Sequence, residues 1–249
     1  MSTPLASGPV RVMAAGSLRE AFEALAPLHR AAGGPAWCSR FAAAGLLRQR
    51  IEAGVPADVF ASANLDHPRA LAQQGGWSEP QVFAHNPMCA LVAPSLRSDP
   101  HALLDALLNP ALRLGTSTPL ADPSGDYALA VFDRAEALKA GARDALRARA
   151  MALTGGPQSP RAPEGRNTYA WVMAEHRLDV FLTYRTNAQR AQREWAELRV
   201  VALPEALSVR ADYGLCWRLA AGQGAEQLAQ WLLGAQARDT LASHGFELP

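Results

Sequence analysis

Ser17 and Glu20 stand three residues apart, directly after the short apolar run Val10-Arg-Val-Met-Ala-Ala-Gly16. The order reads as strand, tight turn and helix. S-x-x-E is the spacing of a capping box, in which the serine oxygen accepts an N3 amide and the glutamate reaches back. The same Gly-Ser turn, at the carboxyl end of a strand, also offers amides and a hydroxyl to an anion where the helix dipole favours negative charge. On this segment alone both roles stand. A second turn of small residues, Phe41-Ala-Ala-Ala44-Gly45, precedes another helical stretch. Such side chains let backbone amides approach a ligand closely, and equally let a helix pack against a sheet. Asp58 enters an apolar strand from a Pro-fixed turn, a place for a carboxylate that caps loop amides or does acid–base work. Pro119-Leu-Ala-Asp-Pro-Ser124-Gly-Asp-Tyr127 opens a third helix, Arg166-Asn167 opens a fourth, and Tyr184 closes a strand. Four helix starts and one phenol therefore fall at strand ends.

The signatures of the common enzyme chemistries are missing. The chain has no G-x-S-x-G, GxxxxGK[ST] or HExxH, and no GxGxxG after a strand. Its six histidines, at positions 29, 67, 85, 101, 176 and 244, lack ligand spacing. Three widely spaced cysteines, Cys38, Cys89 and Cys216, offer neither a disulfide framework nor a CxxC knuckle, and no Cys–His pair is singled out. The net charge of +1, from 24 Lys+Arg against 23 Asp+Glu, excludes the electrostatic footprint of a nucleic-acid or polybasic membrane ligand. Charged residues or Pro interrupt every apolar run before the ~18 to 20 residues a membrane helix needs. The Arg-rich stretches 143–149 and 185–193 alternate with Ala, Asp and Glu, as solvated helix faces do.

The elements that must position these residues follow a βα alternation, the pattern of an α/β fold with mostly parallel sheet. Strands are expected at 10–14, 59–63, 88–93, 112–116, 180–183, 198–202 and 213–218. Helices are expected at 18–32, 45–53, 68–74, 99–108, 126–139, 142–153, 167–176, 224–233 and 235–244. In the first helix Leu18, Phe22, Leu25 and Leu28 recur at three- and four-residue steps and mark one buried face. Thr154–Gly165, with three Pro and three Gly, is expected to be a loop within a lobe. The better boundaries are the extended crossings near Phe83–Pro87 and Leu203–Asp212. They give one lobe of residues 9–84 plus 206–249 and a second of 85–205.

Taken in order, AAGSLREAFEAL (14–25), the F-x-x-x-G turn with its following R-x-x-I, GVPADVFASA (54–63), NPMCALVAP (86–94), PLADPSGDYA (119–128), DVFLTYRTNA (179–188) and WLLGAQARDTLASHGF (231–246) resemble the substrate-binding proteins of molybdate ABC transporters. The resemblance covers nearly the whole chain. It implies a type II periplasmic binding protein: two α/β lobes, mixed sheets flanked by helices, and two hinge strands. Such a protein closes on a tetrahedral oxyanion held by neutral donors, with no catalysis and no cofactor. By motif, Ser17 takes the place of the first ligand serine, Ser124 contributes an amide where Ala is common, and Tyr184 is the second-lobe tyrosine. Two positions depart. Ala44 stands where a second ligand serine is usual, and Arg166 where a small apolar residue gives its amide, so the ligand is open to change.

The expectation is thus a monomeric solute-binding protein for molybdate or tungstate, partnered by an ABC permease and binding neither nucleic acid nor membrane. The resemblance implies a periplasmic location. Residues 1–10 lack the charged and apolar regions of a secretory signal, which keeps open a cytosolic ligand-sensing protein of the same fold.

Overall fold

The computed structural model describes residues 8–96 and 103–249. In chain order the elements are β1 (Val10–Ala15), α1 (Arg19–Ala31), β2 (Trp37–Ala42), α2 (Ala44–Glu52), β3 (Val59–Ser62), α3 (Asp66–Gln73) and β4 (Gln81–Val92). They continue with α4 (Leu103–Leu108), β5 (Leu114–Ser117), α5 (Pro123–Leu138), α6 (Ala142–Arg149), β6 (Met151–Thr154), α7 (Thr168–Glu175) and β7 (Val180–Tyr184). The last are α8 (Arg185–Glu194), β8 (Arg199–Ala202), β9 (Arg210–Trp217), α9 (Gln223–Leu232) and α10 (Ala235–Ser243). Residues 99–102 of the expected fourth helix and His101 lie outside the described residues.

The chain forms two compact units. Unit 1 takes the chain up to Ala84 together with Asp212–His244 and Leu248–Pro249, and unit 2 takes His85–Ala211 and Gly245–Glu247. The chain leaves unit 1 within β4 and returns within β9. In unit 1, β1 lies between β2 and β3, parallel to both, and β9 runs antiparallel to β3. Helix α1 packs against α10, α10 against α9, and α2 against α3. The α1 stripe is buried as its period requires: Leu18, Phe22 and Leu25 are all within 1% of full burial, while Leu28 turns outward. Each such burial stabilises by about 1.5 to 3 kcal/mol.

In unit 2, β4 pairs antiparallel with β7 and β8, and β5 is parallel to β6 and β7. Helix α5 packs on β5, β7 and α6, and α7 lies against α8 and β6. Its core gathers Cys89, Leu91, Met173, Phe181 and Leu198.

Two strands depart from the sequence reading. β6 occupies the end of what reads as one helix over 142–153: the helix stops at Arg149, and Ala150 turns extended so that Met151–Thr154 can extend the sheet beside β5. β2 is an edge strand beside β1 whose residues are all partly or fully exposed, so it lacks the apolar alternation that marks a half-buried strand. The Arg185–Arg193 stretch is the first nine residues of α8, with Ala188 and Ala191 inward. Among the described residues no helix is long and apolar enough to cross a membrane.

Candidate functional site

The parallel register of unit 1 brings two turns together. Ala15 pairs with Ala42, so the turns leaving β1 and β2 are neighbours at the carboxyl ends of the strands. Gly16 begins a single 3-10 turn, Gly16–Leu18, and α1 follows with Leu18 as its N-cap. No side chain caps either start. The capping box expected from Ser17 and Glu20 is therefore not formed, because the 3-10 turn moves the helix start past Ser17. The Ser17 hydroxyl instead meets the Tyr213 phenol of β9, Oγ to OH at 2.7 Å. Tyr213 is fully buried, its ring set edge-on to Phe83.

Beside it, α2 begins at buried Ala44 behind Ala43, again with no side-chain cap. The third parallel strand ends differently. After β3, Asn64 Oδ1 accepts the Ser62 hydroxyl at 3.0 Å and the His67 amide at 3.3 Å, so the entry to α3 has its own acceptor. Unit 1 thus presents two helix starts whose cap residues, Leu18 and Ala43, have apolar side chains that cannot accept an amide, and a hydroxyl fixed by a buried phenol. Such amides carry partial positive charge and suit an anion.

Asp58 belongs elsewhere. It precedes β3, at the amino end of the parallel strands, where Arg11 grips it: backbone N and Nε each lie 2.8 Å from Oδ2, and Nη2 lies 2.6 Å from Oδ1. The guanidinium holds this carboxyl below its usual range. Its role is to tie β1 to the entry of β3.

In unit 2 the carboxyl ends of β5, β6 and β7 converge. Ser117, Ser124, Thr154 and Thr183 are buried there. Ser117 Oγ stands 2.8 Å from Thr154 Oγ1 and 3.3 Å from Ser124 Oγ. Asn187 donates Nδ2 to the Tyr169 hydroxyl at 2.8 Å and to Thr183 Oγ1 at 3.2 Å. Gly125 is required at the head of α5, since a Cβ there would come within 2.5 to 2.7 Å of backbone atoms of Ser117, Thr118 and Pro119.

Ser124 lies in this cluster, but its amide is engaged. Asp122 is the N-cap of α5; its Oδ1 accepts the Ser124 amide at 3.0 Å and its carbonyl accepts the Gly125 amide at 2.8 Å. Pro123, at the first helical position, has no amide. The residue is half-buried, yet its carboxylate is turned inward, toward the Ser117 hydroxyl and against Gly155. Burial pushes the Asp122 carboxyl up to about 6, with the Ser124 amide and Ser117 hydroxyl opposing and the Asp126 charge adding to the rise.

Arg166 is engaged on both counts. Its Nε lies 2.7 Å from Glu194 Oε1, and its amide donates to the Pro163 carbonyl at 3.1 Å. Asn167, the next residue, caps α7 with its own side chain. Tyr184 is buried at the junction of β7 and α8, its ring centroid 6.0 Å from that of Tyr127, and no side chain caps α8.

Within the units, then, Ser17 and Ala44 come together in unit 1. In unit 2 Ser124 shares its corner with residues that sequence reasoning passed over: Asp122, Ser117, Thr154 and Tyr169. Asp-Pro at a helix entry was the one available signal for Asp122. Tyr213 carried none, because its partner Ser17 is 196 residues away. Burial pushes the thiols of Cys89 and Cys216 up to about 12, which keeps them protonated and non-nucleophilic. Among the described residues no group of three His, Cys, Asp or Glu is placed to hold a metal ion.

The chain matches the family described as bacterial extracellular solute-binding protein over residues 10–247. It is 39% identical over 211 residues to "Uncharacterized protein PM1146" of Pasteurella multocida (strain Pm70), covering 83% of this chain and 86% of that one. Its fold is similar to that of the periplasmic molybdate-binding protein of Azotobacter vinelandii, with a TM-score of 0.72 at 17% identity over 96% of this chain and 99% of that one. The sulfate-binding protein SubI of Mycobacterium tuberculosis H37Rv is similar at a TM-score of 0.76 and 17% identity, over 97% of this chain and 87% of that one.

Proposed function

Because the chain belongs to the bacterial extracellular solute-binding protein family, we propose that it captures a small tetrahedral oxyanion, molybdate or tungstate being the first candidates, for import through an ABC permease from the periplasm. The observation that carries this reading is the pair of neighbouring helix starts in unit 1, at Ser17 and Ala44, whose cap residues are apolar and make no side-chain cap. Their amides and the Ser17 hydroxyl are neutral donors directed at one corner, which suits an anion bound without a counter-charge. Tyr213 supports it further by holding the Ser17 hydroxyl in place, oxygen to oxygen at 2.7 Å. Ala44 gives an amide and no hydroxyl. In unit 2 the reading assigns Ser124 and Tyr184 to the ligand, and gives Arg166 no part, since Glu194 and Pro163 hold its side chain and amide. The structural neighbours from Azotobacter vinelandii and Mycobacterium tuberculosis are binding proteins for molybdate and sulfate, which share the tetrahedral oxyanion form.

The test is a thermal-shift panel of molybdate, tungstate, sulfate, inorganic phosphate and small carboxylates at fixed ionic strength. An anion at a hundredfold excess over its Kd stabilises by about 2.7 kcal/mol, which raises Tm by roughly 5 to 10 °C in a chain of this size. No shift with any oxyanion refutes the reading, and a shift confined to a carboxylate replaces the ligand class.

A further inference from the structure

Helix α1 buries one residue able to take up a charge. His29 is 3% exposed, on the face that carries Phe22 and Leu25. Trp37, the first residue of β2, has its ring centroid 5.2 Å from that of the imidazole, and Trp231 of α9 has its own at 4.8 Å. Gly34 closes a third side, since a Cβ there would come within 2.2 to 2.6 Å of the ring. The Pro35 carbonyl accepts from the ring, whereas Nδ1 is buried and has no partner among the described residues. A neutral imidazole with its proton on Nε2 fits this cage. A second proton would go to Nδ1, and the new N–H would face no acceptor.

We infer that His29 is an acid-sensitive latch: neutral, it fastens the edge strand β2 to α1 and α9, and when protonated it releases β2 while the rest of the chain stays folded. The latch lies within unit 1 and stands by itself; its effect on ligand rests on the oxyanion reading above. Ala43 and Ala44 follow β2 directly, so releasing the strand displaces one of the two helix starts of that corner.

The surroundings of the ring hold nothing that would stabilise the charge. From β2 comes the Trp37 indole, from α9 the Trp231 indole, and from the turn after α1 Gly34 and the Pro35 carbonyl, none of which titrates. Arg30, next to it in α1, is exposed. No charged side chain among the described residues shifts His29: burial drives it below its ordinary range, and the Pro35 carbonyl alone opposes. Indole faces attract a cation, but by less than an unpaired buried charge loses on leaving water. Wetting Nδ1 is the relief, and for that one wall of the cage has to move. Helix α9 is anchored by buried Ala225, Leu228, Ala229 and Leu232. Strand β2 has no fully buried residue and a single neighbour strand, so it is the wall that yields.

The experiment is amide hydrogen exchange on the full chain, read by mass spectrometry and corrected for the intrinsic pH dependence of exchange. It compares residues 37–42 with β7, in the parent and in His29→Phe, which keeps an aromatic ring and cannot titrate. In the opened segment His29 regains its ordinary pKa of about 6.5. Protection of β2 in the parent should therefore fall by about ten- to thirtyfold between about pH 7.5 and 5 while β7 holds, and should not fall in the variant. In the parent, a change in β2 within about twofold of that in β7 overturns the inference whether or not the variant folds, and so does an equal loss in a folded His29→Phe. Sulfate, a dianion throughout this range, is titrated alongside by calorimetry. An affinity that falls in acid in the parent and not in His29→Phe supports the coupling to the corner. Sulfate bound equally well by the opened parent counts against the oxyanion corner at Ala44 and leaves the latch standing.

Discussion

The Ser17–Tyr213 contact yields a prediction that separates two accounts of one serine. At 2.7 Å between hydroxyl oxygens it is a full hydrogen bond, with Tyr213 completely buried and Ser17 partly exposed. Ser17→Ala removes this bond from a buried phenol, at about 0.5 to 1.5 kcal/mol. Tyr213→Phe removes the same bond and leaves a hydroxyl that can turn to water, at a similar cost. The double variant loses the bond once, so its cost falls short of the sum by about 1 kcal/mol. Urea unfolding of the four proteins, followed by tryptophan fluorescence, measures each difference from the shift in midpoint at constant slope. In the capping-box account Ser17→Ala costs about 1 kcal/mol whether or not the phenol is present. Single-variant costs that add to the double within about 0.3 kcal/mol would therefore refute the phenol account.

Gly155→Ala should destabilise by about 2 to 4 kcal/mol, because the new Cβ meets Asp122 at 2.4 Å from a backbone at φ +76°, and equilibrium unfolding measures it. Arg166→Ala should cost less than about 1 kcal/mol, as expected of a surface pair with Glu194, and should leave oxyanion affinity within about twofold by calorimetry; a loss above tenfold would return its charge to the site. Asp122 also sets a pH dependence of stability. Its carboxyl is raised to about 6 in the folded chain, so the native state binds the extra proton and this stabilisation is full below about pH 4, where the unfolded group also protonates. It is lost as pH rises through 6, by about 3 kcal/mol in all. The parent should therefore lose stability relative to Asp122→Asn between about pH 4 and 7, and a constant difference would contradict it.

The α/β class and the runs that became β1, β3, β7, α1 and α10 were legible because local pattern and burial coincide there. Leu18, Phe22 and Leu25 lie on a 3.6-residue period and are buried on it. The failures have physical causes. Nothing in Arg-Ala-Arg-Ala-Met-Ala-Leu-Thr (147–154) breaks a helix, and only the vacant edge of β5 draws Met151–Thr154 into a strand. Trp37-Cys-Ser-Arg-Phe-Ala reads weakly because an edge strand need not bury a face. At the site, the turns bearing Ser17, Ala44 and Ser124 were visible as turns. What each amide and hydroxyl bonds to was not, because Tyr213, Asp122 and Glu194 are supplied by tertiary placement or by the cap geometry. Ser17 illustrates the limit: its spacing to Glu20 is that of a cap, and a single 3-10 turn reassigns it.

The way the chain enters and leaves unit 2 bears on how the molecule assembles. Unit 1 is built from two distant pieces: Phe60 of β3 must find Cys216 of β9, with unit 2 strung between them. Closing a flexible loop of roughly 150 residues is an entropic cost borne before the contact repays it. Once unit 2 has folded, that loop no longer exists as such. The Met88 amide donates to the Val209 carbonyl at 2.8 Å, which clamps the incoming and outgoing segments side by side. The search for β9 by β3 then becomes a local one. Folding is thereby ordered from the inserted unit outward: substitutions in the β4–β7 core, such as at Leu91 or Phe181, should slow completion of unit 1, a sheet they do not belong to, whereas substitutions around Phe60 should leave the refolding of unit 2 at its own rate.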